Sequence, residues 1–155
     1  MDERNKVYMQ TVEHIEKVRK LIGMIRQELF MRGRDHDDSK LKKEEFEIFV
    51  EYTPKLWGTT YGSDEYKQYL EEMKPALDHH YKHNSHHPEH FEKGMDDMNL
   101  VDVLEMFCDW KAATMRHADG DIYKSIQINA ERFGISDQLA KILTNTVKVF
   151  EEYGI

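Results

Sequence analysis

Apolar side chains recur through this chain at three- and four-residue intervals, the period that places them on one face of an α-helix. Val7, Val12, Ile15, Val18, Ile22, Ile25, Leu29 and Phe30 mark a long amphipathic helix over about residues 5 to 31, ended by Gly33. The polar stretch Arg34-Asp35-His36-Asp37-Asp38-Ser39 offers capping side chains. Behind it, Leu41, Phe46, Phe49 and Val50 predict a second helix from about Ser39 to Tyr52, stopped by Pro54. Residues 53 to 63, with Pro54, Gly58 and Gly62, read as a loop carrying Trp57 and Tyr61. A third helix opens at Ser63 with Asp64 and Glu65 in its first turn and continues through Tyr66, Leu70, Met73, Leu77 and His80. Pro75 within it implies a kink or two shorter helices.

His86-His87-Pro88-Glu89-His90 reads as a loop, because a residue before proline avoids helical geometry. Asn99 caps a further helix from Leu100 to about His117, with Asp102 close to a capping-box position and Gly120 as the break. Ile122 to Phe133, closed by Gly134, forms the next. The last runs from a Ser136 cap through Leu139, Ile142, Leu143, Val147 and Phe150 to Gly154. No strand pattern and no repeat stands out. The expected fold is all-α, one compact domain of about six helices over residues 1 to 155, a length that holds one core and not comfortably two.

Charge narrows the function classes. The chain has 22 Lys plus Arg against 30 Asp plus Glu and a net charge of -8, which argues against a binder of nucleic-acid polymers, since these need clustered cations. A bound divalent metal can still reverse the local sign of an acidic pocket and admit a nucleotide. No apolar run approaches the roughly 20 residues of a membrane span, and Met1 to Lys6 has no signal core. Cys108 stands alone, so a reducing cytoplasmic setting is expected. The C-terminal helix can pack on the core or on a partner, so a homo-oligomer stays open.

Nine histidines are the unusual feature, six of them between His79 and His90. His36-Asp37 places two metal-capable side chains where one helix ends and the next begins, so the backbone can turn both to one ion. His14 shares a face with Val18, Leu21 and Ile25, and an inward histidine needs a hydrogen-bond partner or a metal. Asp102, Glu105, Asp109 and Arg116 form a polar stripe on a helix whose other positions are mostly apolar, so its acids call for a cation. His80 and Asn84 lie one helical turn apart, which points at least one imidazole of the tract inward.

In order, His14, His36-Asp37, the histidine tract and Asp102 resemble the HD-domain superfamily of metal-dependent phosphohydrolases, whose pattern is H…HD…D with extra histidines in two-metal members. His36-Asp37-Asp38-Ser39-Lys40, His80, Asn84, the 86–90 segment and Glu105 to Ala112 look like a small uncharacterised phage and bacterial HD-like family. The likeness covers about residues 10 to 120 and brings no substrate with it. It implies His14, His36, Asp37 and Asp102 as ligands of a first metal. A second would take His80 and His86 or His87, with Asp37 bridging. His79, His83 and His90 are expected in solvent or behind the ligands.

Imidazole with carboxylate suits one or two ions of Mn, Fe, Co, Ni or Zn. The implied reaction is hydrolysis of a small phosphate ester, a nucleotide first, by metal-activated water. Lys40, Asn84 and Arg116 would bind the substrate, with Glu89 or Asp109 relaying the proton and Lys40 assisting. Trp57, Tyr61 or Trp110 can stack a base. A di-iron oxygenase using the same ligands is the rival enzyme. A hemerythrin-like metal- or oxygen-binding bundle fits His79 and His83 and does not fit the His36-Asp37 adjacency.

Overall fold

The computed structural model describes residues 2–60, 63–116 and 120–155, so Tyr61 and His117 lie outside the described residues. These residues form seven α-helices and no strand, as the helical periodicity implies. The chain divides into two units, residues 1–36 and residues 37–155, where one domain is expected from length.

The first unit is one helix, α1, Glu3–Asp35. Asp2 caps it, its side chain accepting the Asn5 N–H at 2.7 Å. The helix passes straight through Gly33, contrary to the expected stop. A single glycine costs a helix about 1 kcal/mol, which the preceding turns outweigh. None of its residues is buried, although Ile15, Val18, Ile22 and Ile25 line one side.

The second unit begins with a short 3-10 turn, Asp38–Leu41, and then α2, Lys43–Trp57. Pro54 lies inside α2, so the expected stop at Tyr52 is a turn early; the helix ends at Gly58. The stretch from Ser63 to His83 is two helices, α3 Asp64–Glu72 and α4 Lys74–His83. The junction at Met73 puts Pro75 in the first turn of α4, where its missing N–H costs nothing. This split raises the count from six to seven. Two further 3-10 turns, Pro88–His90 and Gly94–Asp97, lead to α5 Leu100–Thr114, α6 Ile122–Phe133 and α7 Asp137–Glu152.

The core sits among α5, α6 and α7. Val103, Met106, Phe107 and Trp110 of α5 meet Ile122 and Ile126 of α6, Ile135, and Leu143 and Val147 of α7. Phe107 is fully buried and stacks on Phe150 at 5.5 Å between centroids. Gly134 closes α6 at φ 63°, the left-handed conformation that costs other residues energy. On the other side of this unit α2 packs against α4 and against the 3-10 turn before it. Polar positions of α5 (Asp102, Glu105, Asp109) thus lie away from the apolar core face, and α2 and α4 bring a second set of polar groups together.

Candidate metal centre

Asp37 has φ 59° and ψ 11°, the only positive φ at a non-glycine among the described residues. Left-handed backbone costs most residues about 1–2 kcal/mol, aspartate less, and it persists where the surroundings over-determine it. Here it starts the 3-10 turn, in which the Lys40 N–H donates to the Asp37 carbonyl at 2.9 Å. The Lys40 ammonium also reaches Asp37 Oδ2 at 2.6 Å. The other carboxylate oxygen, Oδ1, lies 3.3 Å from His80 Nε2 and 3.5 Å from His86 Nε2.

Each of these two imidazoles is held from behind by a glutamate. Glu45, fully buried on α2, lies with Oε2 3.0 Å from His80 Nδ1 and Oε1 2.6 Å from His79 Nδ1. The Ser39 hydroxyl donates to the same Oε2 at 3.1 Å and accepts from Asn84 Nδ2 at 2.8 Å. Glu105 of α5 stands 3.2 Å from His86 Nδ1. A carboxylate on Nδ1 fixes the Nδ1–H tautomer and leaves the Nε2 lone pair facing forward, the arrangement that supports metal-bound histidine. His80 and His86 are both about 1% exposed, so these orientations are set by packing.

His87 completes the group, with Nε2 2.9 Å from His80 Nε2. Burial first, then the neighbouring His86 and His80, push its pKa down to about 3, so it is a neutral base at pH 7. Ligand atoms of Asp37, His80, His86 and His87 all lie within 4.8 Å of one another. Two atoms each about 2.1 Å from one ion are about 3.4 Å apart at a tetrahedral angle and about 3.0 Å at a right angle, a range near the 2.9, 3.3 and 3.5 Å seen here. Three imidazoles and a carboxylate are a donor set for Mn, Fe, Co, Ni or Zn, so these residues fit such an ion.

The other expected site residues take different places. His14 is exposed on α1, not inward as its face with Val18 and Leu21 implies. One continuous helix carries it about 33 Å along the axis from His36, so α1 does not bring the two together. His36 is half-buried at the C-terminus of α1, one peptide bond before Asp37.

Asp102 is buried, but its oxygens accept from Ser85 Oγ at 2.8 Å and from the Asn99 N–H at 2.9 Å. It closes the capping box of α5 and belongs to no metal-capable group among the described residues. Asn84 donates to Ser39 Oγ and to the His80 carbonyl, so it supports His80 where substrate contact is expected of it. Glu89 is ion-paired with Arg132 at 2.8 Å, which engages the expected proton relay. Asp109 keeps an oxygen within 4.8 Å of Asp37. His79 stacks on His83 at 4.1 Å, and His90 bonds the Tyr81 carbonyl.

Two cavities flank the cluster. The larger, about 530 Å³, is lined by Asp37, Lys40 and Arg116 together with Phe46, Phe49 and Trp57. The smaller, about 240 Å³, is lined by His87, Asp109, Glu89 and Arg132. Trp110 borders the smaller one but is buried, stacked on Phe133 at a 7° interplanar angle.

Compared with known families, residues 3–149 match DUF5662, a family of unknown function. The chain belongs to the DUF5662 family. No curated protein and no solved structure matches it. For this DUF5662 chain the chemistry is therefore carried by the geometry. Glu45, Glu105 and Ser39 are the residues that sequence reading missed as partners of the histidines. Glu105 stood in the polar stripe of α5, a usable signal, whereas Glu45 sits in the run Lys42-Lys43-Glu44-Glu45, which reads as helix surface. Among the described residues no helix is long and apolar enough to cross a membrane.

Proposed function

We propose that this chain is a metal-dependent phosphohydrolase acting on small phosphate esters in the cytoplasm. One observation carries the reading: His80 and His86, each backed by a glutamate on Nδ1, turn Nε2 to the same oxygen of Asp37, with neutral His87 beside them. Asp37, His80, His86 and His87 would hold the ion. When bound, a divalent ion lowers the pKa of a water toward neutrality and offsets charge on phosphoryl oxygens.

The chain's own groups do the rest. Lys40 and Arg116, on the larger cavity with Asp37, bind the phosphoryl oxygens. Asp109, near Asp37, accepts the proton of the attacking water. The water oxygen forms a bond to phosphorus, the ester P–O bond breaks, and the leaving oxygen takes the proton that Asp109 received, giving inorganic phosphate and an alcohol. Glu45 and Glu105 keep the imidazole tautomers fixed throughout.

The test is calorimetric titration of the chelator-treated protein with Mn, Co and Zn, followed by phosphate release from aryl and nucleotide esters. Metal binding and metal-dependent release, both lost in Asp37→Asn with helical circular dichroism retained, are expected. A protein that binds none of these ions, or releases phosphate equally well without them, overturns the proposal.

A further inference from the structure

The larger cavity says what kind of ester fits, given the hydrolase reading on which this step rests. Its cations, Lys40 and Arg116, share the lining with the carboxylate of Asp37, so an anionic head belongs beside the metal cluster. The Lys40 ammonium also sits 5.6 Å from the centre of the Phe49 ring, which joins the charged part of the lining to the apolar part. Phe46, Phe49, Val50 and Trp57 make most of the remaining wall. Thr53 is the one hydroxyl among the described residues that line it. A ribose would bring hydroxyls that this wall leaves without partners, whereas an alkyl or aryl body meets apolar surface. Trp57 is 74% exposed and Val50 54%, so an occupant has surface to cover.

We infer that the substrate is a phosphate monoester on an apolar alkyl or aryl body, seated with its phosphate at Lys40 and Arg116 and its body against Phe46, Val50 and Trp57. Each methylene so covered raises affinity about fourfold. The probes are hexylphosphonate, methylphosphonate and adenosine monophosphate, titrated against the fluorescence of Trp57 in the full chain, with a Trp57→Phe variant to assign the signal. Hexylphosphonate should bind at least tenfold tighter than methylphosphonate, with or without metal, and Val50→Asp should bring that ratio toward one. Equal affinity of the two phosphonates, or tighter binding of adenosine monophosphate, overturns the inference. A chain-length preference in a protein that hydrolyses no ester overturns the hydrolase reading alone. Hydrolysis with equal phosphonate affinities overturns the apolar body alone.

A separate observation concerns α1. Tyr8, Thr11, Ile15, Val18, Ile22, Ile25 and Leu29 follow steps of three and four in strict alternation, the seam of a coiled coil. Tyr8, Ile15, Val18, Ile22 and Ile25 are all exposed, and no residue of the helix is buried. Charge along it is polarised. Residues 2–16 carry Asp2, Glu3, Glu13 and Glu16 against Arg4 and Lys6, whereas residues 17–35 carry six Lys or Arg against Glu28 and Asp35. An antiparallel pair sets the acidic half of one helix on the basic half of the other, and a parallel pair sets like on like.

The geometry points to α1 pairing antiparallel with α1 of a second copy. In that register, seam positions whose numbers sum to 40 meet, so Thr11 faces Leu29 of the other copy. Light scattering of the full chain should give a dimer mass, and Val18→Glu with Ile22→Glu a monomer of unchanged helicity. In a Cys108→Ser background, mixed Thr11→Cys and Leu29→Cys chains should cross-link under oxidation, and Thr11→Cys alone should not. A monomeric full chain, a dimer that survives the double glutamate variant, or self-linked Thr11→Cys overturns the pairing.

Discussion

Replacing Glu45 by glutamine separates support of a metal ligand from support of the fold. Glu45 is fully buried and meets three groups: Ser39 Oγ and His80 Nδ1 at Oε2, and His79 Nδ1 at Oε1. Glutamine keeps the volume and one oxygen. If that oxygen faces His80, the new amide N–H₂ meets His79, which is half-exposed and can turn its other tautomer toward it at little cost. If the amide faces His80, Nδ1 must accept, the proton moves to Nε2, and the nitrogen nearest Asp37 becomes a donor that no metal can use.

In either orientation the charge that strengthens His80 as a ligand is gone. Losing such a partner lowers metal affinity about 10- to 100-fold, or roughly 1.4 to 2.7 kcal/mol. Apolar replacement behaves differently. Glu45→Leu removes the acceptor shared by Ser39 and His80 and leaves these donors only each other, Oγ to Nδ1 at 3.0 Å, so one buried donor loses its partner at about 1–3 kcal/mol and the change appears first as a lower Tm of the metal-free protein. The assay is Mn titration by calorimetry together with thermal melts of the metal-free proteins, with Glu105→Gln as the same change behind His86. A Glu45→Gln protein that melts like wild type and binds Mn within twofold of wild type would refute the claim that Glu45 fixes His80 for a metal.

Phe107→Ala should cost about 3–5 kcal/mol in urea unfolding, because the ring is fully buried among α5, α6 and α7; a loss under 1 kcal/mol would mean that this core is not closed. Asn99→Ala removes the acceptor of the Val101 and Asp102 N–H groups and should cost about 1 kcal/mol by the same measurement, without moving metal affinity. Acid should weaken the metal-free fold through His87. Its folded pKa of about 3 lies below the ordinary histidine value of 6.5, so the unfolded chain binds the extra proton between these values. Stability therefore falls as pH drops through that window, by at most about 1.4 kcal/mol per unit, and His87→Gln should make the urea midpoint less steep in pH than wild type.

The helical class was legible because periodicity and punctuation agree in most of the chain. Ile122–Phe133 lies between Asp121, whose side chain accepts the Tyr123 and Lys124 N–H groups, and Gly134 at φ 63°, and both signals are local. Pro54 misled because proline breaks a helix only if its lost bond and its clash outweigh what the next turn gains. Here α2 continues to Trp57, so they do not. Gly33 misled in the same way at the end of α1. What lies over the apolar stripe of α1 could not be read, since a stripe tells that something covers a face and is silent on what.

The candidate centre shows the same limit from the chemical side. Asp37, His80 and the His86-His87 pair, expected near one another from the motif order, do lie together, whereas His83 and His90 of the same tract are exposed. His14 and Asp102 looked alike by spacing, yet one is exposed on α1 and the other holds Ser85 and the cap of α5. What separates them is long-range. Whether a carboxylate caps a helix, orients an imidazole or faces water depends on which element packs over it. Glu44 and Glu45 differ by one residue; the first is exposed, and the second is fully buried with two histidines and a serine on it because α4 lies over α2. A helical period places them about 100° apart and nothing local says which side α4 will take. The residues that tune such a centre are therefore the last to be read from sequence, although their removal is what distinguishes a metal site from a cluster of core histidines.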